Sequence, residues 1–306
     1  MIEVQGLVKR YGAYTAVDGL SFTASKGEIV GLLGPNGAGK TSTMRILTGF
    51  MPPTEGTVKV CGYDVQEDSL EVRRRVGYMP ERVPFYPDMT VEAFILFWAR
   101  LRGTPNAARA TAQVLDRFEL TGRRRQLVRH LSKGLKQRLG LAQALVHQPE
   151  VVILDEPTIG IDPVQVIEVR ETVKQLKEQH TVLFSSHILS EVEQVCDRVI
   201  IIHKGRIVGE GTPEALAKRF AQTQQVYVVV QGAAPAAIIG KLKHLPKVTD
   251  VRPMDAGYLV SSSDTADLRP ALSRFIASEG LTLLEMRPVD ASLEDVFLSL
   301  IEGAQP

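Results

Sequence analysis

The sequence predicts an α/β protein with a mostly parallel sheet, followed by a smaller α+β domain. Short apolar runs that are typical of buried strands alternate with longer segments at helical spacing. This alternation is typical of a parallel sheet that helices cover on both faces. The pattern changes near Phe220, where the polar run Ala221–Gln225 follows. We therefore expect two domains, at residues 1–220 and 221–306.

The first domain combines buried strands with helices around a glycine-rich turn. We predict strands at Ile2–Val8, Ala16–Ala24, Glu28–Leu33, Thr57–Cys61, Val76–Met79, Val151–Leu154 and Thr181–Phe184, and a hairpin of Val199–Ile202 with Ile207–Val208. We predict helices at Thr41–Leu47, Val91–Arg102, Ala107–Phe118, Leu135–His147, Val164–Lys177 and Leu189–Val195. Because residues 82–147 are mostly helical, we expect a helical subdomain there. The aromatic run Phe94–Trp98 within it fits a core position better than a contact surface.

The second domain shows the order β-α-β-β-α-β. Its predicted elements are the strand Val226–Val230, the helix Ala236–Leu242, the strands Val248–Val251 and Tyr258–Val260, the helix Leu268–Ala277 and the strand Thr282–Met286. This order predicts a ferredoxin-like fold. An amphipathic helix at Leu293–Ile301 is expected to pack back on one of the domains.

Composition and charge exclude several classes of protein. Of the 306 residues, 44% are hydrophobic, which fits a soluble globular protein. The net charge is +1, so the sequence lacks the excess of basic residues that is typical of nucleic-acid-binding proteins. No apolar stretch approaches the roughly 20 residues that cross a bilayer, and Met1–Val4 opens no secretory signal pattern. We therefore expect a cytoplasmic protein.

The eight-residue run Gly34–Thr41, which follows the third predicted strand, fits the P-loop pattern in full. Its glycines let successive backbone N–H groups converge on a phosphate, and the following helix directs its N-terminal dipole at the same anion. Lys40 is placed to neutralise the β and γ phosphates of ATP, and the Thr41 hydroxyl to bind Mg²⁺. The strand-loop-helix context favours this interpretation over a purely structural turn. The expected nucleotide contacts are Gly34, Pro35, Asn36, Gly37, Ala38, Gly39, Lys40, Thr41 and Ser42.

Polar residues follow the next two buried strands. Asp155 and Glu156 end the run Val151–Leu154, and Ser185-Ser186-His187 ends Thr181–Phe184. Downstream of a P-loop, Asp155 is expected to hold the Mg²⁺ shell and Glu156 to polarise the attacking water. His187 alone would fit an ordinary polar loop residue. Because ligands lie at the carboxyl ends of parallel strands, we expect it in the same site.

The run Leu131-Ser132-Lys133-Gly134-Leu135-Lys136-Gln137-Arg138 resembles the signature motif of ABC ATPases. In that family the motif contacts the γ-phosphate held by the opposite protomer, which implies nucleotide contacts for Ser132, Lys133 and Gly134. Lys133 stands where the family usually has glycine, and Leu135 where glutamine is commonest. The helix dipole disfavours a cation at a helix N-terminus. Either Lys133 is simply solvated and this small cost is tolerated, or ATP bound to the facing subunit supplies the missing anion.

Other positions resemble the same family in order. Tyr11 is similar to the aromatic residue that stacks on adenine, although a half-exposed strand aromatic is the alternative. Asp162, in Gly160-Ile161-Asp162, resembles the D-loop at the dimer interface, and His187 resembles the switch histidine that senses the γ-phosphate. Glu81 occupies the Q-loop position, where glutamine is usual; its carboxylate can accept a bond from metal-bound water but cannot donate one.

The resemblance covers residues 1 to about 220 and implies a fold and a function. It implies an ABC cassette with an antiparallel β subdomain and a helical subdomain, which binds ATP and Mg²⁺ and hydrolyses ATP. It further implies a dimer of two such cassettes, bound to the cytoplasmic face of a separate membrane-spanning permease, with no nucleic acid partner. The complete set of site residues favours a homodimer, and a heterodimer stays open. Residues 82–130 are expected to receive the permease. The tail, ending at Ser292–Phe297, is similar to those of exporter-type ABC ATPases of the drug-export, gliding-motility and copper-processing groups.

Two other functions remain open at this stage. A non-transport ABC protein would act on ribosomes or DNA, but such proteins usually carry two cassettes or a long coiled-coil insertion. A degenerate cassette would bind ATP without cleaving it, and the retention of Lys40, Asp155, Glu156 and His187 argues against it. The sequence does not indicate the cargo.

Overall fold

The chain begins with an antiparallel hairpin, β1 (Ile2–Tyr11) and β2 (Tyr14–Ala24), whose turn places Tyr11 opposite Tyr14. The computed structural model describes residues 1–220, 224–232, 235–262, 267–289 and Phe297. Its chain forms two units, Met1–Thr212 and Pro213–Pro306. The predicted boundary followed residue 220, whereas the helix that ends there is part of the second unit.

The first unit contains eight further strands and seven helices among the described residues. The strands are β3 (Ile29–Leu33), β4 (Glu55–Val60), β5 (Tyr63–Asp64), β6 (Val76–Met79), β7 (Val151–Asp155), β8 (Thr181–Ser186), β9 (Arg198–His203) and β10 (Arg206–Gly211). The helices are α1 (Lys40–Leu47), α2 (Ser69–Arg75), α3 (Val91–Leu101), α4 (Ala107–Arg117), α5 (Lys133–Leu145), α6 (Pro163–Leu176) and α7 (Leu189–Val195).

A six-stranded sheet of order β10-β9-β3-β8-β7-β6 forms the centre of this unit. All of its pairings are parallel except that of β10 with β9, which confirms the mostly parallel sheet. Every residue of β3, β7 and β8 is buried, as expected for strands with both faces covered. The loops after these three strands therefore meet at one edge of the sheet.

A second, antiparallel sheet has the order β2-β1-β4-β5 and confirms the expected β subdomain. The sequence did not indicate β5, which has two residues, or α2, which buries only Val72 and ends in three arginines. Neither element is long enough to show a hydrophobic period.

Helices α3, α4 and α5 form the expected helical part of residues 82–147. Phe94 and Ile95 are fully buried, whereas Phe97 and Trp98 are half-buried and contact each other edge to face. Helix α5 begins at Lys133 rather than at the predicted Leu135, because the Ser132 hydroxyl caps it by accepting the Leu135 N–H at 3.3 Å.

The second unit has a four-stranded antiparallel sheet of order β12-β13-β11-β14. Its described elements are α8 (Pro213–Phe220), β11 (Gln224–Gln231), α9 (Pro235–Lys243), β12 (Val248–Met254), β13 (Gly257–Ser262), α10 (Arg269–Ser278) and β14 (Thr282–Val289). From β11 to β14 they follow the β-α-β-β-α-β order, around a core that includes Val228, Val260 and Leu272. Except for Phe297, the predicted helix Leu293–Ile301 lies outside the described residues. Among the described helices, none has both the length and the apolar character that crossing a membrane requires.

Candidate functional site

The glycine-rich loop joins β3 to α1 and places backbone N–H groups around the N-terminus of that helix. Gly37 and Gly39 have φ angles of 80° and 106°, in the left-handed region that side chains disfavour. A Cβ at Gly39 would also collide with the carbonyl oxygen of Ala16. Helix α1 starts at Lys40, so its positive dipole end faces the loop. This geometry is suited to binding a phosphate.

The Lys40 ammonium lies beneath the loop and is only 6% exposed. Its Nζ donates to the carbonyl oxygen of Gly34 at 2.6 Å and lies 3.5 Å from Oε1 of Glu156. A buried ammonium needs such partners because desolvation of an unpaired charge is costly. The side chain is thus held where it can neutralise an anion bound by the loop.

Asp155, at the end of β7, has one satisfied and one unsatisfied carboxylate oxygen. Its Oδ1 accepts a hydrogen bond from the Ser185 hydroxyl at 2.7 Å, whereas Oδ2 is buried without a partner among the described residues. Burial raises the pKa of this carboxyl, and the nearby Ser185 and Thr41 hydroxyls oppose that shift. An orphaned carboxylate oxygen beside a threonine hydroxyl is a donor set that fits Mg²⁺.

The cation would not be held by protein groups alone. The part of the chain that the structure describes contains no cluster of three or more His, Cys, Asp or Glu side chains. Mg²⁺ in nucleotide sites takes one or two carboxylates and completes its shell with phosphate oxygens and water. The residues present therefore fit a cation that binds together with a nucleotide.

Glu156 follows Asp155 in a left-handed backbone conformation, with φ of 50°. Its N–H donates to the Ser185 hydroxyl at 2.9 Å, so Ser185 fixes both acidic residues of this loop. The Nδ1 of His187 lies 2.8 Å from Oε2 of Glu156, and the carboxylate is only 8% exposed. The predicted base and the predicted switch histidine are thus brought together.

A cavity of about 550 Å³ opens over these groups. Its volume lies within the range of ordinary ligand pockets. Three residues of its walls were not indicated by the sequence: Tyr14, Ala16 and Ile159. The other lining residues are predicted site residues, namely Tyr11, Pro35, Asn36, Gly37, Ala38, Gly39, Lys40, Thr41, Ser42, Glu81, Glu156 and His187. The hydroxyl of Tyr14 lies 3.4 Å from the Gly37 carbonyl oxygen. Tyr14 lies opposite Tyr11 across the hairpin turn, a pairing that the sequence alone did not indicate.

Of the predicted nucleotide contacts, Gly34 does not line this cavity, and four others lie outside it and near one another. Ser132 caps α5, Gly134 packs against Gln165, and a Cβ at Gly160 would collide with Nζ of Lys133. Asp162 caps α6 by accepting the Gln165 N–H at 3.0 Å. The signature-like run and the Gly160–Asp162 loop therefore form one surface, separate from the P-loop cavity of the same chain.

Comparison with known proteins gives a consistent picture. The family described as "ABC transporter" matches residues 17–159. The chain is 34% identical to the linearmycin resistance ATP-binding protein LnrL of Bacillus subtilis (strain 168), over 98% of each chain. It is 38% identical to the Nod factor export ATP-binding protein I of Burkholderia orbicola (strain AU 1054), over 98% of this chain and 96% of that one. It is 35% identical to the bacitracin transport ATP-binding protein BcrA of Bacillus licheniformis, over 99% and 98%.

Solved structures share the fold of a large part of this chain. A structure of an ATP-binding subunit of an ABC transporter matches with a TM-score of 0.66 and 32% identity, over 72% of this chain and 93% of that one. A dimeric ATP-binding cassette in a post-hydrolysis state with ADP and Pi matches with a TM-score of 0.64 and 22% identity, over 69% and 98%. The latter identity supports the fold alone.

Proposed function

The chain belongs to the ABC transporter family as an ATP-binding and ATP-hydrolysing subunit that serves a separate permease, and from this premise we propose that it powers an exporter. The names of the relatives, which concern antibiotic resistance, bacitracin transport and Nod factor export, support this direction. These relatives match along nearly their whole length, so the second unit is common to them and to this chain. Transport names among the relatives favour this function over action on ribosomes or DNA.

The observation that supports ATP hydrolysis, on which the proposal rests, is the convergence of Lys40, Glu156 and His187 in one cavity. Lys40 and the N–H groups of the glycine-rich loop would bind the β and γ phosphates. Thr41 and Asp155 would hold Mg²⁺, with Glu81 reaching its water shell. When bound, Mg²⁺ supplies charge that neutralises the phosphate oxygens.

Glu156 is the general base in this proposal. Its carboxylate would orient the attacking water and accept a proton at Oε1, while His187 contacts Oε2. His187 and Lys40 would stabilise the negative charge that develops on the transferred phosphoryl group. Tyr11, at the mouth of the cavity and 45% exposed, provides a ring face for adenine.

A second copy of the chain would complete the site. Ser132, Lys133, Gly134 and Asp162 lie outside the cavity that the same chain forms. In a homodimer their surface would cover the nucleotide of the facing subunit and exclude water. The γ-phosphate would then supply an anion for Lys133, since the first turn of α5 contains no acidic residue.

A groove beside α3 is suited to the permease. Its volume is about 680 Å³, and Phe50 on its wall is 74% exposed. Among the residues that the structure describes, four arginines line it and no acidic residue does: Arg45, Arg73, Arg82 and Arg102. Burial and the nearby charge of Arg73 lower the pKa of Arg102. We therefore propose that an acidic segment of the permease with an apolar side binds here, and that the protein lies on the cytoplasmic face of the membrane.

Capture of the trapped protein tests the proposed function. The Glu156→Gln variant, held with ATP and Mg²⁺, is affinity-purified from native membranes, and its companions are identified by mass spectrometry. We expect a polytopic membrane protein in stoichiometric amount. The matched control is Glu150→Gln, which makes the same change at an exposed residue outside the cavity. Recovery of ribosomal proteins or DNA-repair factors without a membrane protein would overturn the proposal.

A further inference from the structure

A buried glutamate on α7, Glu191, connects the loops that carry Glu156 and His187. The residue is 1% exposed and does not line the nucleotide cavity. Its Oε2 accepts hydrogen bonds from the Thr158 hydroxyl at 2.6 Å and from the Ser186 hydroxyl at 2.8 Å. One carboxylate oxygen thus joins the loop after β7, at Thr158, to the end of β8, at Ser186, 28 positions later in the chain.

Both hydroxyl donors lie next to the residues that we assign to catalysis. Thr158 follows Glu156 by two positions, and Ser186 immediately precedes His187. The Ser186 hydroxyl also accepts the Ile188 N–H at 3.0 Å, so it contacts the backbone beyond His187. Thr158 and Ser186 are 3% and 0% exposed, which keeps solvent from competing for these bonds.

This connection is separate from that made by Ser185. The Ser185 hydroxyl forms hydrogen bonds with Asp155 and with the backbone N–H of Glu156. Glu191 accepts a hydrogen bond from Thr158, two residues after Glu156 in the sequence. Hydrogen bonds to a carboxylate are short and strong, and a buried one is costly unless its partners are in place. The loop of Glu156 is therefore fixed at two points against the loop of His187.

We propose that Glu191 is a positioning residue for ATP hydrolysis, which holds His187 against Glu156 through Ser186 and Thr158. The inference rests on the proposed roles of Glu156 and His187. Glu191 acts through its two hydroxyl partners, so it sets the turnover rate and not the affinity for ATP.

The Glu191→Gln variant removes the charge and keeps the size of the side chain. Since the amide is a weaker acceptor for two donors, the catalytic pair loses its fixed distance. We expect kcat for ATP to fall between about 10- and 100-fold, with KM changed less than about twofold. Glu193→Gln makes the same change at an exposed residue of the same helix and serves as the matched control.

A double-variant cycle separates positioning from a general structural role. In a His187→Ala background, Glu191→Gln should reduce kcat by less than about twofold, because the residue that it positions has been removed. Equal reductions in both backgrounds would overturn the proposal. An unchanged kcat in the Glu191→Gln single variant would overturn it as well.

A second pair of variants covers the case in which Glu191→Gln does not fold. Thr158→Val removes one hydroxyl donor and should reproduce the loss of kcat, whereas Thr158→Ser retains the donor and should restore at least half of the wild-type rate. If Thr158→Ser is as slow as Thr158→Val, the hydrogen bond to Glu191 is not the cause. Failure of the proposed function has a different signature, namely a wild-type rate that Glu156→Gln does not reduce.

Discussion

The Nδ1 of His187 lies 2.8 Å from Oε2 of Glu156, while Nζ of Lys40 lies 3.5 Å from Oε1 of the same carboxylate. The buried carboxylate therefore has the Lys40 side chain on one side and a half-exposed imidazole on the other. A γ-phosphate that bound Lys40 would compete with Glu156 for this ammonium. Glu156 would then keep His187 as its partner and regain a free oxygen for water.

The first prediction concerns His187. His187→Ala should lower kcat for ATP hydrolysis by about 10²-fold or more, because it removes both the partner of Glu156 and a group that stabilises developing charge. The KM for ATP should change little, and His130→Ala, at an exposed histidine, should retain the wild-type rate. Steady-state phosphate release measures both constants. A variant that loses affinity and keeps kcat would contradict the assignment.

The second prediction concerns the unsatisfied oxygen of Asp155. In Asp155→Asn an amide nitrogen or a neutral oxygen replaces a carboxylate oxygen that has no partner among the described residues. We expect the Mg²⁺ concentration for half-maximal ATPase activity to rise at least about tenfold. Binding of a fluorescent ATP analogue in EDTA should be unchanged, since that state requires no cation.

Asp116→Asn is the control for this change, because Asp116 is an exposed acid on α4. If Asp155→Asn weakens nucleotide binding equally with and without Mg²⁺, its role is structural and the proposed cation site is wrong.

The sequence predicted the sheet, the helical part and most of the cavity, because these depend on local patterns. The runs at Ile29–Leu33, Val151–Asp155 and Thr181–Ser186 are buried on both faces, and their apolar composition shows it directly. The P-loop likewise has a fixed spacing, which its backbone geometry requires.

Features that depend on tertiary contacts could not be predicted in this way. Tyr14 enters the cavity because a two-residue turn places it opposite Tyr11. Ser185 and Glu191 bind residues of a loop about 30 positions away, and no local period encodes such a pairing. The proximity of Lys133 to Gly160 depends in the same way on the packing of α5 near the start of α6.

The third prediction concerns Lys133. Lys133→Ala should weaken the ATP-dependent dimerisation of the Glu156→Gln protein by about threefold or more, because the partner's γ-phosphate loses a facing cation. Light scattering measures the dimer, and ATP binding to the monomer should not change. Lys136→Ala, on the same helix, is the control. Unchanged dimerisation and turnover in the Lys133→Ala protein would show that this lysine is only solvated.

The fourth prediction concerns the arginine-lined groove. Arg73→Glu should reduce recovery of the permease with the trapped protein by about tenfold, since like charges across an interface are strongly unfavourable. The ATPase rate of the purified chain should be unaffected, because Arg73 does not line the nucleotide cavity. Arg109→Glu, an exposed reversal on α4, is the control.

Flotation with vesicles distinguishes a protein partner from a lipid one. If the purified wild-type chain floats with phosphatidylglycerol vesicles and Arg73→Glu does not, the groove binds anionic headgroups and the proposal of an acidic permease segment is wrong. Recovery of the permease at the wild-type level with Arg73→Glu would contradict it equally.

The fifth prediction concerns stability in mild acid. Burial, with a contribution from Arg102, lowers the pKa of His147 to about 4, while its Nε2 contacts the Val76 carbonyl oxygen at 3.2 Å. In the unfolded chain His147 therefore binds a proton near pH 6.5, whereas in the folded chain it binds one only near pH 4. Stability from this group is complete above pH 6.5, and it falls as the pH decreases toward 4.

Urea unfolding of wild type and His147→Gln, followed by the fluorescence of the single tryptophan, Trp98, measures this effect in the first unit. Between pH 7 and pH 5 the wild type should lose about 2 kcal/mol more of its free energy of unfolding than the variant, since each pH step below 6.5 costs about 1.4 kcal/mol. Burial also lowers the pKa of His180, so a smaller decline remains in the variant. Equal declines in the two proteins would show that His147 accepts a proton in the folded state.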